Sequence, residues 1–198
     1  MNHPKLKELI EYFDGLSKNR DIVVAFSGGV DSSLVAASAQ LACGADRVTA
    51  VLFDTPLIWP SDIETAQRIA DENTLKLEVV AFDPLIIDAV RHNRTDRCYH
   101  CKRALLSFLQ KHYPDAAICD GSNSDDDPRR RPGMRALSEL GILSPLRICN
   151  INKATVRECA RELGLSNADR ESMACKAVSL PYDTKLTYEL LEGCKTSR

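Results

Sequence analysis

Residues 27–33 combine two glycines, three serines and a carboxylate in the order Ser-Gly-Gly-Val-Asp-Ser-Ser. An apolar run precedes them and a helical pattern follows, so they are expected to form a strand-to-helix turn. Gly28 and Gly29 let phosphate oxygens approach the backbone, and exposed N–H groups at a helix start hold an anion. Asp31 is a candidate Mg²⁺ contact, because a carboxylate beside phosphates requires a cation between them. These residues predict a phosphate-binding loop; a serine-capped Gly-Gly turn without a ligand is the alternative.

A second group of reactive side chains is the pair Cys98 and Cys101, which has Cys-x-x-Cys spacing. The pair can be a redox dithiol, half of a metal site, or two incidental thiols. Cys175 lies far along the chain, and if it meets the pair in space, three thiolates could hold a 4Fe–4S cluster with one iron left open. Such an iron can bind an exogenous sulfide or a substrate atom. The other thiols are interpreted as structural or left undecided: Cys43, Cys119, Cys149, Cys159 and Cys194.

These candidate residues need a scaffold, and the hydrophobic pattern predicts strands that alternate with helices. The prediction is a doubly wound α/β fold with a mainly parallel five-stranded sheet and helices on both faces. In such a sheet, ligands bind at the carboxyl ends of the strands, where residues 27–33 are expected. Cys98 and Cys101 are expected in a turn just before a helix. The predicted strands are 21–26, 48–53, 77–82, 116–119 and a short fifth at 142–146; the main predicted helices are 5–16, 32–43, 62–73, 102–112 and 153–163.

Length, composition and charge narrow the class of protein. With 198 residues, of which 44% are hydrophobic and 27% charged, residues 1–198 are expected to form one globular domain. The net charge of −2 argues against bulk electrostatic binding of nucleic acid. Arg129, Arg130 and Arg131 form either a local basic patch or a solvated loop. No apolar stretch approaches the roughly 20 residues that span a bilayer, and no signal peptide is recognised, so a cytoplasmic protein with reduced thiols is expected.

The loop sequence Ser-Gly-Gly-x-Asp-Ser resembles that of the PP-loop ATP-pyrophosphatase superfamily, whose members split ATP between its α- and β-phosphates. Further motifs are similar to one group of that superfamily, the LarE-like ATP-dependent sulfur transferases. They occur in family order over residues 20–187, which is most of the chain. The matching stretches begin at Val24 (VAFSGGVDS), Arg97 (RCYHCK), Asp120 (DGSN), Arg131 (RPG), Arg161 (RELGL), Ala174 (AC) and Pro181 (PY).

The resemblance implies an enzyme that adenylates an acceptor, releases pyrophosphate and then inserts sulfur. LarE-like enzymes act on a carboxylate of a pyridinium mononucleotide. In one subgroup the cysteine that matches Cys175 gives up its own sulfur; in another, cysteines that match Cys98, Cys101 and Cys175 bind a 4Fe–4S cluster that delivers sulfur. This chain has all three cysteines, so the resemblance implies ATP, Mg²⁺ at Asp31, and a 4Fe–4S cluster as cofactors. The implied ATP-binding residues are Ser27, Gly28, Gly29, Val30, Asp31, Ser32, Ser33, Phe53, Asp120 and Gly121.

Three departures from the family pattern concern the acceptor. The family's Ser-Arg-x-Pro-Tyr-Gly is Val-Ser-Leu-Pro-Tyr-Asp at residues 178–183, and the family's Asp-Tyr before Arg-Pro-Gly is replaced by Arg129 and Arg130. The family usually continues beyond this region, so residues 170–198 are interpreted as a short remnant of its substrate region. The expected partners are therefore a small or nucleotide-like acceptor, sulfide or a sulfur-donor protein, and a second subunit or second copy that completes the acceptor surface.

Other functions remain open from the sequence. An amide-forming ligase or synthetase of the same superfamily would use the loop without the cysteines. A tRNA thiolation enzyme would act on a base, although such enzymes often carry a zinc ribbon or an RNA-binding domain. A nucleotide-sensing or sulfide-carrying subunit would bind ATP without releasing pyrophosphate.

Overall fold

A parallel sheet forms the centre of the fold. The computed structural model describes residues 2–18 and 20–194. The strands run in the order β3-β2-β1-β4, and each neighbouring pair is parallel. Because β1 lies inside the sheet, the loop that follows it opens at the middle of the carboxyl edge, where ligands bind in this architecture. The strands are β1 Ile22–Phe26, β2 Val48–Asp54, β3 Lys76–Ala81 and β4 Ala117–Cys119.

Helices and short 3₁₀ segments connect the strands. The α-helices are α1 Pro4–Ser17, α2 Val30–Cys43, α3 Pro60–Glu72, α4 Asp88–Arg91, α5 Arg97–His112, α6 Gly133–Glu139, α7 Pro145–Ile148, α8 Lys153–Glu162 and α9 Tyr188–Glu192. The 3₁₀ segments are Ala45–Arg47, Pro84–Ile86 and Lys176–Ser179. None of the helices in the described part of the chain is long and apolar enough to cross a membrane.

The sheet is buried on both faces, as the apolar runs of β1 and β2 predict. Successive side chains of a strand point to opposite faces. Val24 accordingly packs into a core with α1, α2 and α8, whereas Val23 packs into a second core with α5 and α6. The structure therefore confirms the predicted doubly wound α/β fold with helices on both faces.

The predicted fifth strand is wrong. Within residues 142–146, only Leu143 pairs with the sheet, through one parallel bridge to Cys119. Its N–H donates to Ile118 O, and its carbonyl accepts from Asp120 N. Pro145 then begins α7. Proline has no N–H for a ladder and favours the first turn of a helix, which is why the pairing stops there.

The position of the cysteine pair also differs from the prediction. Cys98 and Cys101 lie inside the first turns of α5, which begins at Arg97 rather than at Lys102. A Cys-x-x-Cys segment has no helix breaker, so the helix extends through it. Three-residue spacing on a helix puts both thiols on one face.

A third, smaller core joins the C-terminal segment to the connection after β3. Ala177 and Leu186 pack there with Leu85 and Val90. Asn93 is fully buried beside this core. Its Nδ2 lies 3.3, 3.2 and 2.8 Å from the carbonyl oxygens that belong to Ala177, Leu180 and Pro181. This one side chain therefore fixes the backbone that follows Cys175.

The loop after β1 lies directly against α3. Gly28 has a φ of 70°, in the left-handed region that favours glycine. A Cβ on Gly28 would lie 2.6 Å from Cα of Ala66, closer than any real contact. Gly29, in contrast, has a φ of −75°, which any residue adopts. Of the two loop glycines, only Gly28 is required by its backbone angle.

We expect Gly28→Ala to lower the free energy of unfolding by more than about 2 kcal/mol. The cost of a left-handed backbone angle for alanine and the cost of the overlap between its Cβ and α3 add to each other. Gly164→Ala is the matched control, since its φ is 72° but nothing lies within 4 Å of its added Cβ. Strain alone should lower the stability of that variant by about 1–2 kcal/mol. Urea denaturation of both variants measures the difference, and equal losses would contradict the close contact.

Candidate functional site

The loop of residues 27–33 presents a helix start that is free of side-chain caps. Gly29 is the N-cap of α2, and it offers no side chain to the first N–H groups of the helix. These N–H groups and the positive end of the helix dipole form a site for an anion. The described geometry therefore agrees with the predicted phosphate-binding loop.

The serines of the loop have different roles. Ser32 Oγ donates to Gly29 O at 3.0 Å and accepts from Ser27 N at 3.2 Å, so it ties the loop to itself. Ser33 is fully buried, and its Oγ accepts from Asn167 Nδ2 at 2.9 Å. The same Asn167 nitrogen donates to Gly28 O at 2.8 Å. Ser32 and Ser33 therefore shape the loop, and only Ser27 faces the cavity described below.

Asp31 lies at the mouth of the loop with two partners. Its Oδ2 pairs with Lys153 Nζ, and its Oδ1 accepts from Asn123 Nδ2 at 2.8 Å. Lys153 is the first residue of α8, which Asn152 caps. The ammonium group therefore stands beside the carboxylate predicted to contact Mg²⁺ and beside the helix start predicted to hold phosphate.

Asp120 and Gly121 lie behind the loop rather than in the cavity. The Asp120 carboxylate is buried and accepts from Ser122 Oγ at 2.6 Å, Ser144 Oγ at 2.7 Å and Lys102 Nζ at 3.1 Å. A Cβ on Gly121 would lie 2.8 Å from Ser32 N. These residues support the start of α2, and their assignment to ATP binding stays a prediction.

One cavity of about 420 Å³ extends from the loop to the cysteines. Its walls come from the carboxyl ends of β1 and β2, from α5 and from residues 170–175. Of the residues singled out in the sequence, it is lined by Ser27, Gly29, Val30, Asp31, Phe53, Cys98, Cys101 and Cys175. The sheet thus brings the predicted nucleotide loop and the three thiols to one space. Gly28, Ser32, Ser33, Asp120 and Gly121 do not line it.

Cys175 reaches the cavity because its neighbours are held by the segment that leads into α3. Trp59 Nε1 donates to Ala174 O at 2.8 Å, and Lys176 N donates to Leu57 O at 2.9 Å. These two bonds flank Cys175 on both sides. The loop carrying the third thiol is therefore attached to the same helix that packs on Gly28.

The thiols differ in exposure and acidity. Burial, with smaller contributions from negative charge on Cys175 and Cys98, raises the pKa of Cys101 to about 12. Burial and then Cys98 also raise the pKa of Cys175, whereas the nearby Arg97 guanidinium opposes the rise for both thiols. Cys98 is exposed. Among the described residues, no three His, Cys, Asp or Glu side chains converge as the ligands of a single metal ion.

Lys153 and Asn167 were missed by the sequence reasoning. A lysine at the first position of a helix is unfavourable beside the positive end of the dipole, and this could have indicated a nearby anion. Asn167 gave no comparable signal, since its contacts with the loop span more than 130 residues. The basic run is a solvated loop: Arg129 pairs with Asp127, and Arg131 pairs with Asp126.

Comparisons with known proteins agree with this geometry. Residues 6–103 match the NAD synthase family. The chain is 34% identical over 171 residues to pyridinium-3,5-bisthiocarboxylic acid mononucleotide synthase of Lactiplantibacillus plantarum, covering 85% of this chain and 62% of that protein. It is also 34% identical to an uncharacterised protein of Synechocystis sp., covering 97% of this chain and 71% of that protein. The chain thus spans less than two thirds of the length of the Lactiplantibacillus relative.

Two solved structures share the fold. The NH₃-dependent NAD synthetase of Campylobacter jejuni has a TM-score of 0.63 and 18% identity, covering 88% of this chain and 79% of that chain. The NMN synthetase of Francisella tularensis has a TM-score of 0.67 and 15% identity, covering 98% and 87%. At these identities, the likeness shows the fold alone. With the loop, the parallel sheet and the relatives together, the chain belongs to the PP-loop ATP-pyrophosphatase superfamily and, within it, to the LarE-like group.

Proposed function

We propose that this chain is an ATP-dependent sulfur transferase that adenylates an acceptor and then replaces AMP with sulfur. One observation carries the proposal: the helix start of the loop and three thiols line the same cavity. The name of the Lactiplantibacillus relative, a synthase for a bisthiocarboxylic acid mononucleotide, supports it as well. ATP is cleaved to AMP and pyrophosphate in this proposal.

The proposed ATP half uses residues 27–33. The N–H groups at the start of α2 bind phosphate oxygens. Asp31 would hold Mg²⁺, which would supply charge neutralisation at the phosphates. Lys153, which pairs with Asp31, neutralises charge on the departing pyrophosphate. Phe53, at the end of β2, provides an apolar wall of the same cavity for the nucleoside. The acceptor attacks the α-phosphorus, which gives an activated adenylate with AMP as leaving group.

The proposed sulfur half uses Cys98, Cys101 and Cys175. The donors fit a 4Fe–4S cluster because three thiols face one cavity, and each would bind a different iron, so they need not converge on a single ion. When bound, the cluster leaves one iron without a protein ligand and can thereby supply a sulfur nucleophile. Thiolates are the metal ligands, so the raised pKa values mean that Cys101 and Cys175 release protons when they bind iron.

The acceptor is proposed to be a small or nucleotide-like molecule. Residues 170–175 line the same cavity as the loop, and we propose that they belong to the acceptor surface of a single domain. Sulfide or a sulfur-donor protein supplies the sulfur. An amide-forming ligase is the alternative, favoured by the match to the NAD synthase family, and it would need no thiols.

The ATP half predicts that Lys153→Met weakens binding of Mg-ATP by about tenfold to a hundredfold, because a charge-assisted contact with phosphate is lost. Isothermal titration of the purified chain measures the effect. Lys111→Met is the control, since Lys111 is exposed near the end of α5. If both variants bound Mg-ATP as tightly as the natural chain, Lys153 would have no part in the site.

The sulfur half predicts about four irons and four acid-labile sulfides per chain after anaerobic purification or reconstitution. Cys98→Ala, Cys101→Ala and Cys175→Ala should each lose most of this iron, whereas Cys194→Ala should keep it. Cys194 is the control because it lies outside the cavity lining. If the natural chain is colourless and stays free of iron, the cluster is refuted. The remaining explanations are then a Cys175 that gives up its own sulfur, or a ligase.

The reaction products distinguish sulfur transfer from amide formation. With ATP and a carboxylate of a pyridinium mononucleotide, the natural chain should release pyrophosphate and form a thiocarboxylate, which mass spectrometry detects. Cys175→Ala should still release pyrophosphate but form no thiocarboxylate, because adenylation needs only the loop. An amide that forms from ammonia at the same rate in the Cys175→Ala variant would identify a ligase instead.

A further inference from the structure

Arg97 is a buried cation for which the described part of the chain offers no anionic partner. Its side chain borders the cavity, yet the residue is only 5% exposed. Its Nε is buried without a hydrogen bond, and across residues 2–18 and 20–194 no carboxylate forms an ion pair with its guanidinium. The contact found for this group is the ring of Tyr182, whose centroid lies 5.3 Å from Arg97 Cζ. An aromatic face attracts a cation but does not neutralise it.

The neighbouring charges in the cavity are neutralised or solvated. Arg170 also lines the cavity, but it forms an ion pair of 2.6 Å with Asp62. Asp31 pairs with Lys153. Glu171 borders the cavity and is exposed to solvent. The cavity therefore retains one buried positive charge, and that charge belongs to Arg97.

A buried, unpaired charge is destabilising, so proteins seldom keep one without a ligand to match it. Arg97 lies at the thiol end of the cavity, since it directly precedes Cys98 on α5 and both residues line the cavity. An anion bound against Arg97 would therefore lie at the thiol end of the cavity. A planar guanidinium binds a carboxylate through two parallel hydrogen bonds, and its donors at this position are free to do so.

We propose that Arg97 is the residue that binds a negatively charged group of the acceptor and holds it at the thiol end of the cavity. This inference rests on the proposed function. It makes the acceptor an anion, and it makes Arg97 a specificity-determining residue that discriminates against neutral molecules such as ammonia or an uncharged base. Tyr182 covers the guanidinium and limits its contact with water.

The test compares benzoate with its neutral isostere benzamide on the iron-free full-length chain. Trp59 is the single tryptophan, and it donates to Ala174 beside Cys175, so its fluorescence reports on this end of the cavity. Isothermal titration provides an independent measurement. We expect saturable binding of benzoate and at least about tenfold weaker binding of benzamide, because only benzoate carries the charge.

The expected effect of Arg97→Gln is a loss of benzoate binding of about tenfold to a hundredfold, with benzamide binding unchanged. Arg97→Lys should recover part of the affinity, since it keeps the charge but not the planar fork. Arg94→Gln is the control, since it removes an exposed arginine that pairs with Asp183; this variant should not weaken benzoate binding.

Thermal unfolding separates the proposal from simple damage to the fold. Removing an unpaired buried charge should leave the Tm of Arg97→Gln equal to or above that of the natural chain. Failure of the natural chain to bind benzoate, or equal binding by Arg97→Gln, would overturn the proposal. If Arg97→Gln lost only iron and kept benzoate binding, Arg97 would serve the sulfur site instead, which also overturns it. If Arg97→Gln lost benzoate binding and the natural chain never took up iron, the results would support the role of Arg97 and refute the cluster.

Discussion

The contact between Gly28 and Ala66 fixes the relative position of the two halves of the site. Because Gly28 has no Cβ, α3 approaches the backbone of the loop directly. The segment that leads into α3 carries Trp59, whose indole holds Ala174 next to Cys175. A short series of contacts therefore connects the phosphate loop to the third thiol. In the proposed reaction, the distance between the activated acceptor and the sulfur depends on this packing.

The site also brings several charged side chains together. Asp31 has Lys153 and Asn123 as partners. Among the residues that the structure describes, Arg97 has no such partner. At the loop end of the cavity, the charge of Asp31 is paired within the protein. At the thiol end, we propose that the charge of Arg97 is paired by a ligand. Binding sites commonly retain this kind of local instability, and selection for stability alone would remove it.

The sequence predicted best what depends on local patterns. The strand, loop and helix across β1 and α2 follow from an apolar run, two glycines and helical spacing within about twenty residues. The fifth strand failed because apolar residues 142–144 resemble a strand, while Pro145 prevents pairing beyond Leu143. The turn at Cys98 failed because helix propensity extended α5 through it. Asn167 and Lys153 could not be placed on the loop, since their contacts depend on how distant elements pack.

The separation of Cys98 and Cys175 along the chain has a consequence for the order of folding. The backbone of the phosphate loop is built from neighbouring residues between β1 and α2, although Asn167 joins it from far along the chain. The thiols meet only after the C-terminal segment has closed a long loop and Asn93 has bound the backbone at Ala177, Leu180 and Pro181. Contacts between distant residues form late, because the entropy of loop closure must be overcome first. During synthesis, residues 27–33 can therefore form their strand-to-helix turn before the three thiols are brought together.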